Sequence, residues 1–449
     1  MQSTGQIRPH YADSFRCIGS ACEDTCCQGW SIPIERQTWE KYQNLPDVPL
    51  RALMQATIVP QPAGADGAEA VPFAKIRMTA ENQCPLLTEE KLCRVQVECG
   101  ESFLSHTCKV YPRVVNTVDG APDMSLSLSC PEAARRVLLD PDLLSKGLTE
   151  IAGQASAESG SQSDAPASGG AARFRPLAHF WPIRATVLHL LKERTYPLWQ
   201  RLFLLGLLCR RLDAIARGEL NHPVREFLFD FERTVATGSL LPAMETLPVD
   251  RSAQLDVVLR LAGMLLHRSN IRPRFVACID AFTSGIGNGP QATLESLTAH
   301  YAEAHDRYYA PFFARHPYIL ENYLVNTIFR SHFPFGKSGG RPNQTPDMTR
   351  EFAQLTAQFA LAKGLLIGVS GHHRMSFAAE HVVHTMQASS KHFEHHPEFL
   401  KQAHQLLVES HMEGARGMAI LLRNAEPVNV NRPSAPVQQV PVQQMSGAA

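Results

Sequence analysis

The sequence predicts a mainly α protein, with a small Cys-rich, metal-binding N-terminal domain carrying few short strands, followed by an α-helical domain. Three observations predict it. Nine of the eleven cysteines fall between Cys17 and Cys130, and only Cys209 and Cys278 follow. Past residue 173 the apolar residues recur three and four apart, the period of a helix with one buried face. Between the two regions, Gly153 to Ala172 is almost entirely Gly, Ala, Ser, Gln and acidic residues, which bury too little apolar surface to fold. The expected layout is a Cys-rich metal or iron–sulfur domain over 1–152 with a surface loop at 60–72, and a flexible linker at 153–172. A helical domain over 173–425 and a disordered tail at 426–449 complete it.

Composition narrows the function classes. The chain has 449 residues, a formal net charge of zero, 44% hydrophobic and 19% charged residues, as an ordinary globular protein has. No global basic excess points to nucleic acid. The longest apolar run, Leu202 to Cys209, falls short of the roughly 20 residues that span a bilayer. Met1 to Ser20 is polar and carries Arg8, Asp13 and Arg16, unlike a secretory leader. The expectation is a cytoplasmic protein with neither a nucleic-acid nor a membrane partner.

Taken in chain order, Arg113 to Val118 and Ser125 to Ser129 read as short strands and Glu132 to Leu139 as a helix. Tyr196 to Gly218 reads as a long helix, opened by Pro197 and stopped by Gly218, with Leu198, Leu202, Leu205, Leu208, Leu212 and Ile215 on one face. Leu255 to Leu266, Ile319 to Phe329, Phe352 to Leu366, Phe377 to Met386 and Phe399 to Glu409 repeat the pattern. Gly364-Leu-Leu-Ile-Gly-Val-Ser-Gly371 reads as a helix end and loop. No Gly-x-Gly-x-x-Gly follows a strand pattern, so a Rossmann-type nucleotide site has no support.

The cysteines carry the chemistry. Cys17, Cys22, Cys26 and Cys27 lie in one run, and Cys84, Cys93, Cys108 and Cys130 follow. A disulfide framework suits a small secreted domain, whereas this chain is long enough to build a core without staples. In a reducing compartment such a cluster points to metal or redox chemistry. Zinc favours the compact Cys-x2-Cys knuckle, which the chain lacks; the looser spacing suits an iron–sulfur cluster better. Adjacent residues seldom ligate one ion together, so the expected ligands are Cys17, Cys22, one of Cys26 and Cys27, and one of Cys93 and Cys108. A radical-type Cys-x3-Cys-x2-Cys motif is not matched, because Gly29 stands where its third cysteine belongs. Cys209 and Cys278 read as packed core thiols.

Histidines form a second group: His372, His373, His381, His384, His392, His395 and His396. Two readings stand beside the plain one of solvated helix-end residues. A pair three apart with a nearby acid can hold a divalent ion, and a histidine near neutral pKa can serve as a base.

The spacing Cys17-x4-Cys22-x3-Cys26-Cys27-x-Gly29-Trp30 resembles the flagellin lysine-N-methylase family, whose N-terminal part is related to the zinc- or iron-chelating Cys-rich domains. So do Ile32-Pro-Ile34, Cys84-Pro-Leu-Leu, Leu92-Cys93-Arg-Val-Gln96 and Gly100-Glu-Ser-Phe-Leu104. Thr107-Cys108-Lys-Val-Tyr-Pro-Arg113, Ser127-Leu-Ser-Cys-Pro-Glu-Ala-Ala134, Arg201-Leu-Phe-Leu-Leu-Gly206 and Pro317-Tyr-Ile-Leu-Glu-Asn-Tyr-Leu324 extend the likeness over about 10–425. Cys99 is outside the pattern.

The resemblance implies methyl transfer from S-adenosylmethionine to the ε-amine of surface lysines on flagellin. A lysine near its reference pKa of about 10.4 is protonated at neutral pH and cannot attack a sulfonium methyl, so the site must desolvate it or supply a base. Glu321 and Tyr323, flanking Asn322, are the expected catalytic pair, an acid to orient the ammonium and an aromatic face for the cation. The bland alternative has Glu321 bracing a helix while Tyr323 packs. Two rival functions are a non-catalytic metal-binding adaptor or chaperone for a secreted filament protein, and an iron–sulfur redox protein.

Overall fold

In the computed structural model, residues 6–30, 32–46, 48–61, 73–118, 121–151, 176–267, 271–336, 347–394 and 397–424 are described. The expected linker at 153–172, the tail at 426–449, His395 and His396 lie outside them, as do residues 62–72 of the expected surface loop.

Among the described residues helices dominate, and the strands are short and confined to the N-terminal third. These are β1 (Gln6–Pro9), β2 (Pro33–Ile34), β3 (Ile58–Pro60), β4 (Ala74–Ile76), β5 (Arg113–Val118), β6 (Ala121–Leu126) and β7 (Leu148–Ile151). They pair antiparallel in three small sheets, β1 with β7, β2-β4-β3, and the β5–β6 hairpin with Arg113 opposite Leu126. The hairpin's first strand falls where the sequence put it. Its second begins earlier than expected and ends at Leu126, after which Ser127–Ser129 turns towards a helix.

The helices of this third are α1 (Arg36–Gln43), α2 (Pro49–Thr57), α3 (Arg94–Cys99), α4 (His106–Val110), α5 (Pro131–Leu138) and α6 (Leu143–Lys146). After residue 175 come α7 (Phe180–Lys192), α8 (Leu198–Ala216), α9 (Val224–Ala236), α10 (Leu241–Glu245), α11 (Arg251–Leu266) and α12 (Pro273–Gly285). Then follow α13 (Leu294–Ala304), α14 (Ala310–Arg315), α15 (Tyr318–Ser331), α16 (Met348–His373), α17 (Ala379–Phe393), α18 (Pro397–Glu409) and α19 (Ala415–Leu422). Their ends carry ordinary signals. Proline fills the first turn of α2, α5 and α12, where its missing N–H has no partner to lose. Asp250 and Asp347 cap α11 and α16 by accepting from Ala253 N and Arg350 N, each at 2.9 Å, satisfying orphan donors.

Helix α16 is the axis of the molecule. Every residue from Phe352 to Ser370 is buried, as expected of a helix surrounded by others. It is long and apolar enough to cross a membrane, and its apolar window lies wholly inside the protein. The Gly364–Gly371 stretch, expected as a helix end and loop, is helix interior. Its glycines serve close packing. A Cβ on Gly285 of α12 would overlap the carbonyl oxygen of Gly368, and one on Gly368 would overlap Phe282. The two backbones therefore touch where no side chain fits between them.

Apolar packing forms two cores. The small one joins Ile32, Ile34, Tyr42, Leu50, Met54, Ile58, Ile76 and Leu86 under α1, α2 and the β2–β4 sheet. The large one joins all the later helices with Tyr11, Phe15, Val118, Leu126 and the inner face of α5. Strands β5 and β6 and helix α5 thus pack with the helical half. Helix α15 fastens them there: Asn326 bonds both Leu126 N and Leu126 O, and Asn322 Nδ2 donates to Val137 O and Asp140 O. The cysteines lie along the seam between the two cores.

Candidate functional site: a cysteine-lined seam

All eleven cysteines are free thiols. Cys209 and Cys278 are packed in the large core, as expected. Of the others, Cys17, Cys22, Cys26, Cys27, Cys93, Cys108 and Cys130 line one cavity of about 520 Å³. Buried Cys84 stands close enough to Cys26, Cys27 and Cys108 to perturb them electrostatically or be perturbed by them. Cys99 does not line the cavity.

Local structure explains this convergence. Cys93 and Cys130 are the N-cap residues of α3 and α5, and Cys108 lies in the first turn of α4, its N–H donating to the Ser105 cap at 3.3 Å. Helix starts turn unpaired N–H groups toward such side chains and favour thiolates. Cys27 is drawn to Cys84 through the Cys84 N to Cys27 O bond at 2.8 Å. Trp30 holds the Cys26 carbonyl through its Nε1 at 2.7 Å and packs on Tyr111. Cys27, Cys84, Cys93 and Cys108 belong to the small core, whereas Cys130 packs on the large one. The cavity is shared between them.

Burial decides the electrostatics. It is the leading cause of the rise of Cys84 to about 11 and of Cys108 and Cys130 to about 12, reinforced in each case by neighbouring thiols. It also raises Cys22 and Cys93. Cys26 moves the other way. The Cys27 thiol, 4.0 Å away, donates to it, and Lys391 adds positive charge against the cost of burial. Cys22, Cys84, Cys93, Cys108 and Cys130 thus resist ionisation, whereas Cys26 is eased toward it.

Helix α17 secures the cysteine loop. Lys391 Nζ bonds Asp24 Oδ2 and Thr25 O, each at 2.7 Å, and Gln387 Nε2 bonds Asp24 Oδ2 at 2.8 Å and Ser129 O at 2.9 Å. From the start of α12, Arg272 reaches the Gln28 carbonyl with Nη2. These contacts hold the loop against the large core.

The other expected site residues lie elsewhere. Glu321 is fully buried and receives Arg194 Nη2 at 2.6 Å and Arg201 Nη1 at 2.8 Å. Tyr323 is buried in the large core, and its hydroxyl lacks a hydrogen-bond partner. Both carboxylate oxygens of Glu321 are thus engaged by guanidinium groups, and the segment braces α15 against α8, α5 and the turn after α7. Of the histidines, His373 stacks on His381 with ring centroids 3.6 Å apart, His372 bonds Ser284, and His392 packs on Phe275. Among the described residues, no group of three or more His, Cys, Asp or Glu side chains is closed tightly enough to hold a metal ion as it stands. The cavity offers thiols of the right kind and number, drawn together by the fold but not closed on a point.

Residues 184–421 match the family described as the FliB lysine N-methylase C-terminal domain. The chain belongs to the FliB lysine N-methylase family. It is 38% identical over 148 residues to the flagellar biosynthetic protein FliU of Salmonella muenchen, covering 33% of this chain and 85% of that protein. Over 145 residues it is 37% identical to proteins named lysine-N-methylase from Salmonella typhimurium and Salmonella choleraesuis, covering 32% of this chain and 35% of each. The match thus spans about a third of the length of these two relatives. No solved structure matches the chain. In FliB terms, α7 to α19 fall in the family's C-terminal domain, and the cysteine cavity precedes it in sequence while leaning on it in space.

The sequence reading counted Cys84 and Cys130 in the cysteine cluster but not among the expected ligands; the structure puts Cys130 on the cavity wall and Cys84 beside it. Cys130-Pro131 was a usable signal, since proline in a first helical turn places the residue before it at the cap.

Proposed function

We propose that the chain is a protein-lysine N-methyltransferase that uses S-adenosylmethionine to methylate surface lysines of flagellin. The observation that carries this reading is the family match over 184–421, joined by relatives named lysine-N-methylase. The flagellar name of the FliU relative supports a flagellar protein as substrate.

The reaction sets clear demands. The lysine nitrogen must lose its proton, its lone pair then attacks the methyl carbon, and the carbon–sulfur bond breaks with its electron pair left on sulfur. S-adenosylhomocysteine and a methylated amine result. Approach must be nearly in line. Among the described residues the seam is where the donor set, a cavity and charged side chains meet.

We further propose that the cysteine cavity holds a thiolate-ligated metal, an iron–sulfur cluster in preference to zinc, with Cys26, Cys93 and Cys108 central among the candidates. The fit rests on chemistry: buried thiols that repel one another's ionisation become stable thiolates when a cationic centre neutralises them. Bound there, a cluster supplies positive charge and electron-transfer capacity; positioning falls to the chain. Lys391 and Asp24 hold the loop, and the caps of α3, α4 and α5 aim the thiols.

The test pairs two measurements on protein purified without oxygen. Flagellin incubated with the protein and methyl-labelled S-adenosylmethionine should gain label on lysines, read by peptide mass spectrometry. Iron, zinc and acid-labile sulfide should show iron and sulfide in equal amounts. Unlabelled flagellin would remove the substrate reading, and zinc without sulfide would leave the cavity a structural clamp.

A further inference from the structure

A second cavity opens on the same seam. It measures about 490 Å³ and shares Asp24, Thr25 and Lys91 with the cysteine cavity. Its other walls include Gln83, Leu87, Thr88 and Glu89, the start of α12 and the last turns of α17.

Most charges in this cleft already have partners. Asp24 is held by Lys391 and Gln387, Glu23 accepts from Arg135 at 2.8 Å, and Arg274 Nε donates to Gln387 Oε1 at 3.0 Å. Arg272 is different. Its Nη2 donates to the Gln28 carbonyl, while Nη1 is buried with no hydrogen-bond partner. A buried donor left open is costly, and the cost is removed when an acceptor arrives. The planar guanidinium fork suits a carboxylate above other acceptors of that size.

The fold keeps space for this guanidinium. Gly29 has φ +82°, and a Cβ there would overlap Arg272's guanidinium group. The glycine that follows the Cys26-Cys27 pair thus admits an arginine from the other half of the chain. Asp24, Thr25 and Lys91 join this cleft to the cysteine cavity, so a small ligand with a carboxylate would fit between Arg272 and the thiols.

We propose that this cleft binds the carboxylate-bearing amino-acid end of the methyl donor, with Arg272 as its anchor. The inference rests on the donor reading above and adds a place and a residue to it. Glu89, also on the cleft wall, is the counter-charge for the donor's α-ammonium.

Calorimetric titration of the full-length, metal-loaded protein tests it. Wild type should bind S-adenosylmethionine about ten- to hundredfold more tightly than its decarboxylated analogue. Equal affinities would overturn the placement, and this comparison needs no variant. Arg272→Gln should lose the preference for S-adenosylhomocysteine over 5′-methylthioadenosine while still binding the latter, and Arg272→Lys should recover part of it. An Arg272→Gln protein that binds S-adenosylhomocysteine like wild type, or loses both ligands equally, would overturn the anchor and leave the donor reading standing. A wild type that binds none of the four compounds would overturn the donor reading and the placement together.

Discussion

Single residues separate bracing from chemistry. Glu321 carries the polar motif most suggestive of catalysis, and its carboxylate ties Arg194 and Arg201 together inside the large core. Removing one partner of a buried pair strands the other charge, so Glu321→Gln should cost about 3 kcal/mol in urea unfolding. Its affinity for S-adenosylhomocysteine, measured where the variant is folded, should stay that of wild type. His305 supplies a pH test. Burial lowers it to about 4, against the opposing bond to Asp306. The unfolded chain binds its proton near pH 6.5, so between about 6.5 and 4 the unfolded state takes up more protons and stability falls as the solution is acidified. Unfolding followed across that window should show the decline, and His305→Gln should flatten it. Much of the site was legible at this scale, because cysteine spacing alone marks the loop, Cys93 and Cys108. Arg272 was not, because nothing in the run around Pro273 points to Gly29, which only the fold brings beneath its guanidinium.

At the scale of elements, periodicity located the long helices and failed where two backbones touch. Leu198–Ala216 and Tyr318–Ser331 fall within two residues of the spans expected, since one apolar face against a core leaves a clear period. Helix α16 is buried on every side, so its pattern shows no polar face, and its glycines read as breakers. They are contact points for α12. Gly285→Ala forces a methyl group into the Gly368 carbonyl, backbone against backbone with no flexible side chain to yield. The expected cost is about 3 kcal/mol, the upper part of the range for overpacking, seen as a lower melting temperature. Helix α5 falls within one residue of the expected Glu132–Leu139, whereas α3 and α4, six and five residues long, are too short for an apolar period to show.

For the whole molecule, the cysteine cavity is a joint between two cores. Cys108 belongs to the small one, and removing its sulfur should free that core more than the helical one. Cys108→Ser is expected to lower bound metal and to split thermal unfolding, with the small core melting first while the helical signal persists. Retained metal and one unchanged transition would remove Cys108 from the ligand set. The two cores themselves were invisible in the sequence. The low-complexity stretch at 153–172 suggests a boundary, yet apolar packing carries Tyr11, Phe15 and α5 into the helical half, through contacts that no local pattern records.

The burial of α16 also bears on how the chain comes to be made. Synthesis delivers this apolar cylinder before α17, α18 and α19, three of the helices that later cover it. During that interval the nascent chain presents to its surroundings a segment of the length and hydropathy that insertion machinery and holdase chaperones recognise. A polypeptide halted just after His373 would keep that surface uncovered. Its fate would then be decided by capture or aggregation, and not by the stability of any core it had already built.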